Sequence, residues 1–271
     1  MHILITNDDG IASEGLWLLA AAMRELQLGT ITIVAPETDQ SATSMSFPSQ
    51  AYQVLTPVEP PEPCFAGLTA FAHSGTPVSC VTVAMIGACG PRPDLVVSGI
   101  NAGVNGGTNV ALSGTVGAAM IGTLWGVPGL AVSAQLVRER PVNWQVAAWA
   151  AQRVVPLLIQ LHKQHGQPLM LNMNVPNVPS IAALRGFRAT VTSSFFYGNY
   201  LTADAIEREE NGRLRFRYAF DHRAYQYPFP IETDDGAVRA GYVSVGPLAP
   251  MGHEQHIDIT AAVMALDNDR G

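Results

Sequence analysis

The apolar run Ile3, Leu4 and Ile5 has no polar break and reads as a strand buried on both faces, the central kind found in parallel sheets. After it, Leu16, Leu19, Ala20, Met23 and Leu26 repeat at helical spacing, with Ser13 placed as N-cap and Gly29 as the stop. Thr30 to Ala35 is a β-branched strand ended by Pro36, which completes a βαβ unit. Phe47 to Phe71 carries prolines at 48, 57, 60, 61 and 63 without a clear period, and short strands are expected around Tyr52 to Leu55 and Thr69 to His73. Thr76 and Pro77 then start a helix reaching about Ala88, with Cys80, Val81, Ala84 and Met85 facing inward. Asp94 to Ser98 reads as the third parallel strand and Gly129 to Ala134 as a further buried one, while Leu169 to Val175 is a strand stopped by Pro176. A small-residue helix follows Ser113-Gly114-Thr115, and Asn143 to His165 is a long helix that Pro156 kinks or breaks.

The pattern changes near Gly186. Ten aromatic residues crowd into 195–229, and Arg213 to Tyr218 alternates with period two behind the turn Glu209-Glu210-Asn211-Gly212, a hairpin signature. A hairpin is too small to bury those rings alone, so packing against a second copy is expected. A base-stacking platform for nucleic acid is the sharper alternative, opposed by the surrounding acids. Tyr242 to Val245 is a last strand and Asp258 to Leu266 a closing helix.

Candidate chemistry gathers at strand ends. Asn7, Asp8 and Asp9 follow the first strand, and Gly10 lets the chain turn sharply. In open α/β sheets this edge is where ligands bind, and adjacent carboxylates suit a hard cation such as Mg2+ or Mn2+. A strand-to-helix turn whose Asp side chains cap backbone N–H groups is the plain alternative. The polar loop Glu37 to Ser44 leaves the second strand toward the same crevice. The glycine-dense loop Gly99 to Gly107 can bring N–H groups close to an anion, and Ser113-Gly114-Thr115 sets hydroxyls and free N–H groups at a positive helix end. Neither GxGxxG nor GxxxxGK[ST] occurs, so nicotinamide and P-loop readings have no support. Asn172 and Asn174 read as strand-end hydrogen bonders, and the His pairs 162/165 and 253/256 as surface residues without a third ligand.

Composition narrows the class. With 271 residues, 48% apolar and 14% charged, the chain has much surface to bury and suggests one large α/β domain with subunit contacts. A net charge of −7 without a basic run opposes duplex nucleic-acid binding. Cys64, Cys80 and Cys89 form no CxxC and leave an odd thiol, which fits a reducing compartment; with no leader pattern or spanning run, a cytoplasmic protein without membrane contact is expected.

Taken in order, Ile5-Thr6-Asn7-Asp8-Asp9-Gly10-Ile11, Ala35-Pro36 with Gln40-Ser41-Ala42, Ser74-Gly75-Thr76-Pro77, Val97 to Gly103 and Ser113 to Val116 resemble the SurE family, the stationary-phase survival proteins, which are metal-dependent nucleotidases. Asn174-Val175-Pro176 and Gly241 to Val245 extend the resemblance along the chain. It implies an α/β fold with a Rossmann-like, three-layer, mostly parallel sheet and a C-terminal hairpin arm used in a homodimer or homotetramer. The expected division is a catalytic core at 1–190, the arm at 191–240 and a returning strand and helix at 241–271. It further implies hydrolysis of nucleoside monophosphates, with one divalent ion, Mg2+ or Mn2+, held by Asp8, Asp9, Ser41 and Asn101; by hard-cation chemistry a metal-activated water would attack phosphorus, with Asp8 as nucleophile or base the alternative. Asp8, Asp9 and Asn101 would be catalytic, and Asn7, Gly103, Asn105, Ser113, Gly114 and Thr115 would meet substrate or its phosphate, with Asn7 and Gly10 also shaping the turn. Where relatives carry an acid and an aromatic before Ser-Gly-Thr, this chain has Asn109 and Leu112, and where a Glu often follows, it has Ile121. A nucleotide-binding regulatory protein with weak or lost turnover is therefore the alternative.

Overall fold

Ile3, Leu4 and Ile5 lie in β1 (His2–Thr6), every residue of which is buried. In this computed structural model, which describes residues 1–47, 52–221, 227–249 and 260–265, β1 is an interior strand, the fourth of a nine-stranded sheet. Its side chains alternate as a strand requires. Ile3 and Ile5 pack with α1 (Glu14–Glu25) and α4 (Trp144–His165), while Leu4 joins Cys80, Val81 and Ala118 from α2 (Pro77–Met85) and α3 (Gly114–Leu124) on the opposite face.

The remaining sheet strands are β2 (Thr30–Pro36), β3 (Leu55–Pro57), β4 (Thr69–His73), β5 (Leu95–Ala102), β6 (Gly129–Ala134), β7 (Met170–Val175), β8 (Gly186–Ala189) and β11 (Tyr242–Leu248). They lie in the order β3-β4-β2-β1-β5-β6-β7-β11-β8. From β4 to β7 the pairings are parallel; β3 and β11 run antiparallel to β4 and β7. The chain builds outward from β1 through β2 to β4, then returns to β5 on the other side. The order therefore reverses between β1 and β5, the crevice where doubly wound sheets bind ligands.

Several elements differ from the sequence expectation. Thr69–His73 is the third parallel strand, paired with β2, so β5 is the fourth. β5 runs on past Ser98 to Ala102 because an extra residue opposite β6 bulges the strand between Ser98 and Asn101, hiding its pattern while re-aiming its end. α1 ends at Glu25 with Gln27 in the left-handed region, before Gly29 is reached, and Ser13 holds the N-cap position without a side-chain bond. α2 stops at Met85, short of Ala88. α4 is one continuous helix: Pro156 lies on its exposed side, and buried Val154, Val155, Leu157 and Leu158 hold both halves to the sheet. β8 and the short helix α5 (Asp234–Arg239) were not foreseen, and β11 extends to Leu248.

The hairpin is β9 (Leu201–Arg208) and β10 (Leu214–Phe220), a separate antiparallel sheet. Its aromatic crowd divides in two. Phe195 stacks within 5.2–5.7 Å of Tyr200, Tyr227 and Phe229 at the hairpin base. Phe216 and Tyr218 on β10 stay 50% and 68% exposed. Tyr225, His253 and His256 lie outside the described residues, as does all of the expected closing helix beyond α6 (Thr260–Ala265). Among the described residues no helix is long and apolar enough to cross a membrane, and all three cysteines are free thiols.

Because Ile5 is fully buried at the last turn of β1 before the site, Ile5→Ala is expected to cost about 2–5 kcal/mol of folding stability, read from a urea denaturation midpoint.

Candidate functional site

At the end of β1 the backbone turns through Asn7 and Gly10. The fully buried Asn7 amide donates to the Gly10 carbonyl (3.0 Å) and accepts from its N–H (3.2 Å), while Gly10 sits at φ +95°, a conformation that favours glycine. The brace turns Asp8 toward α3. Thr115, in the first turn of α3, donates its N–H to Asp8 Oδ2 at 2.9 Å and its hydroxyl to Oδ1 in a short hydrogen bond. Gly114 permits this approach, since a β-carbon there would lie 2.9 Å from Asp8 Cβ. Ser113 caps the same helix, its hydroxyl accepting the Val116 N–H at 3.1 Å.

The loop after β2 docks on the same residue. Gln40 donates its N–H to the Asp8 carbonyl (2.7 Å), which delivers Ser41 to the crevice; the Ser41 hydroxyl and N–H both bond Asp39 Oδ1, at 2.6 and 2.8 Å. From β5, the Ala102 N–H donates to Asp9 Oδ2 (3.3 Å), and the Asn101 amide donates to the Gly103 carbonyl (2.8 Å), leaving its oxygen available. The loop beyond is held by strand-end asparagines on β7. Asn174 Oδ1 accepts the Asn105 N–H (2.8 Å), Asn172 and Asn174 amides donate to the Asn105 carbonyl (2.8 and 3.1 Å), and the Asn105 amide donates to Ser133 Oγ (2.9 Å).

A cavity of about 340 Å3 opens between these elements. Asp8, Ser41, Asn101, Asn105 and Ser113 line it. The other candidates stand behind that wall: Thr115 and Gly114 against Asp8, Asp9 against Ala102, Asn7 within the turn, and Gly103 bonded to Asn101. Of the three departures from the family pattern, Asn109 and Leu112 line the cavity, whereas Ile121 packs in the α2–α3 layer away from it. Asn109 is fully engaged: its amide donates to the Gly106 and Phe195 carbonyls (3.1 and 3.4 Å) and its oxygen accepts the Tyr197 N–H (3.0 Å).

Four lining or neighbouring residues were missed by sequence reasoning: Asp39, Phe195, Tyr197 and Asp235. Asp39 lay within the polar loop already singled out. Asp234-Asp235-Gly236 repeats the Asp8-Asp9-Gly10 tripeptide, a signal that was available in the sequence. Nothing local to 195–197 distinguished those aromatics from their neighbours.

The electrostatics are those of underneutralised acids. Burial raises the pKa of Asp8 against the opposing hydrogen bonds from Thr115, with the Asp39 charge adding to the rise. Burial, then the Asp8 charge, lifts Asp9 to about 6, opposed by the Ala102 N–H. Among the described residues none of Asp8, Asp9 or Asp39 forms an ion pair. Nor does any group of three His, Cys, Asp or Glu side chains form a metal-binding cluster there. A cation held in this crevice thus depends on hydroxyl and amide oxygens beside the carboxylates, and an all-oxygen set of that kind fits a hard divalent ion.

A mostly parallel, doubly wound sheet with acidic, oxygen-lined walls at its switch point defines a Rossmann-like α/β protein. The chain belongs to the SurE family: the family model described as "Survival protein SurE" matches residues 3–199. It is 37% identical over 251 residues to the 5'-nucleotidase SurE of Desulforudis audaxviator (strain MP104C), covering 92% of this chain and 91% of that one. It is 38% identical over 254 residues to the 5'-nucleotidase SurE of Synechococcus sp. (strain JA-3-3Ab), covering 92% of each. The crystal structure of the SurE protein from Aquifex aeolicus superposes with a TM-score of 0.70 at 25% identity, covering 98% of this chain and 99% of that chain.

The Asp9 shift has a definite sign. A carboxyl raised from its usual 3.8 to about 6 contributes stability while protonated and loses it as pH rises between those values. In metal-free buffer, Asp9→Asn is expected to melt at a higher temperature than the unsubstituted protein above pH 6, the gap closing below pH 4; thermal unfolding across that range checks it.

Proposed function

We propose that the protein is a divalent-metal-dependent 5'-nucleotidase, a phosphomonoesterase that hydrolyses nucleoside monophosphates to nucleoside and phosphate. One observation carries this: Asp8, fixed by Thr115 at the start of α3, shares a cavity with Ser41, Asn101, Asn105 and Ser113, and among the described residues neither Asp8 nor Asp9 forms an ion pair. The relatives named 5'-nucleotidase SurE support the same activity.

Asp8, Asp9, Ser41 and Asn101 would hold one divalent ion, Mg2+ or Mn2+, through carboxylate, hydroxyl and amide oxygens. When bound, such an ion supplies charge neutralisation at a phosphoryl oxygen and a water acidic enough to act near neutral pH. The chain's own residues do the rest. Thr115 fixes the Asp8 carboxylate so that its orientation is set before substrate arrives. The positive end of α3, with the Ser113 hydroxyl at its cap, favours the phosphoryl group and the charge that spreads over it. Asn7 keeps the turn closed, and Asn172 and Asn174 hold the loop through Gly103 and Asn105 open to the cavity.

The arm completes the proposal. Ile206, Leu214, Phe216 and Tyr218 are all more than half exposed or at half exposure on one two-stranded sheet, at 62%, 52%, 68% and 50% for Ile206, Leu214, Tyr218 and Phe216. We assign this surface to contact between copies in a homodimer or homotetramer, with 1–190 as catalytic core and the described part of 241–271 returning to it, β11 pairing with β7.

Phosphate release from a panel of nucleoside monophosphates is expected with Mg2+ or Mn2+ and not with chelator, and Asp9→Asn should lower kcat/KM by about 100-fold or more. Nucleotide binding without metal-dependent release from any of them refutes turnover. Replacing both Phe216 and Tyr218 by Asp should convert the protein to a smaller species in sedimentation velocity while leaving the fold intact by circular dichroism.

A further inference from the structure

The cavity has a carboxylate that the chemistry above leaves unused. Asp234 and Asp235 open α5, and they are treated differently by their surroundings. Asp234 is spent on backbone: its Oδ1 accepts the N–H groups of Ser193 (3.0 Å) and Asp235 (2.9 Å), and its Oδ2 accepts that of Gly107 (2.9 Å). Asp235 lines the cavity, and only its Oδ2 is engaged, by the Ser193 hydroxyl at 2.8 Å. Among the described residues Oδ1 accepts no hydrogen bond, although it lies against Gly106, 2.6 Å from where a β-carbon would stand.

The same Ser193 hydroxyl accepts the N–H of Phe195 (3.3 Å), so one side chain fixes both a carboxylate and an aromatic residue of the cavity wall. Tyr197, tied through its N–H to Asn109, belongs to that wall too. These residues come from the segment after β8 and from α5, not from the strand ends that carry Asp8, Ser41 and Asn101. The positive end of α3, capped by Ser113, and the cation that Asp8, Asp9, Ser41 and Asn101 would hold assign phosphate to the α3 side, and the Asp235 side, which has neither, is left to the rest of the substrate. Aromatic surface beside a hydrogen-bond acceptor suits a nucleoside, where a carboxylate commonly takes the sugar hydroxyls.

We propose that Asp235 is a specificity-determining residue that accepts hydrogen bonds from the ribose hydroxyls of the nucleotide through Oδ1. The assignment rests on the nucleotidase reading above and deepens it. Burial, then the Asp234 charge, raises the Asp235 pKa to about 6, with Ser193 and Arg239 opposing, so at neutral pH the group is an ionised, poorly solvated acceptor whose needs a sugar hydroxyl meets.

The test compares kcat/KM for the best nucleoside 5'-monophosphate, its 2',3'-dideoxy counterpart and p-nitrophenyl phosphate. The unsubstituted protein should prefer the ribonucleotide over the dideoxynucleotide by about tenfold or more. Asp235→Ala should bring that ratio toward one, and Asp235→Asn, which keeps an acceptor oxygen, should fall between. Equal turnover of the two nucleotides by the unsubstituted protein overturns the assignment without any variant. A parallel loss on both nucleotides in Asp235→Ala also overturns it, pointing to loop support or proton donation instead. Absence of phosphate release from all three substrates removes the nucleotidase reading, and the Asp235 assignment falls with it; release from p-nitrophenyl phosphate without sugar discrimination removes the Asp235 assignment alone.

Discussion

A carboxylate taken out of water is stable only where donors replace the solvent it loses. Asp8 is 3% exposed, and the donors are the N–H and hydroxyl of a single residue, Thr115. That contact ties the end of β1 to the start of α3 across the sheet's reversal point. It is possible only because Gly114 carries no side chain and because α3 is built of small residues; at Gly117 a β-carbon would come within 2.7 Å of the Ser44 carbonyl. The loop after β2 is registered by the same residue, through the Gln40 N–H on the Asp8 carbonyl. Sheet, helix and loop therefore converge on one buried acid, and every other feature of the cavity is placed relative to it.

The second acid pair shows the same division of labour. In each tandem the first carboxylate holds two chain segments together, Asp8 through the N–H and hydroxyl of Thr115 and Asp234 through the N–H groups of Ser193, Asp235 and Gly107, and the neighbour is left with fewer partners and a pKa near 6. The raised pKa values of Asp8, Asp9 and Asp235 leave an unmet electrostatic demand, which is the property a binding site requires. Asp234 thus joins the Gly103–Gly107 loop to the segment at Ser193, while Asn172 and Asn174 hold that loop from the β7 side. The loop is rich in glycine, yet its position is fixed from both ends by side chains distant in sequence.

Those distances explain what was legible in the sequence. β1 and β6 are buried on both faces, so unbroken apolar runs declared them, and Thr76-Pro77 and Ser113 declared helix starts through caps that the structure contains. The strand-end oxygens could be read because β1, β2 and β5 deliver them by local chain order. The bulge that extends β5 to Ala102 is set by pairing with β6, and the continuity of α4 through Pro156 by packing of its buried side. No local period encodes either. Asp235 and Phe195 reach the cavity through contacts distant in sequence, Asp234 with Gly107 and Phe195 with Thr108, and although the repeated Asp-Asp-Gly was visible, its partner Ser193 was not.

The departures at 109, 112 and 121 bear on whether this member of the family retains turnover. Ile121 lies outside the cavity and is an apolar residue in an apolar layer. At 109 the side chain must donate toward the Gly106 and Phe195 carbonyls and accept from the Tyr197 N–H at once, which an amide does and a carboxylate does not. An acid there would set negative oxygen against two carbonyls. Asn109 is consequently the residue this loop needs to hold the aromatic segment against the cavity, and the carboxylate facing that side is supplied from α5 by Asp235. The substitution removes a charge from one element while another element brings one to the same wall, a pattern that favours altered substrate contact over loss of catalysis.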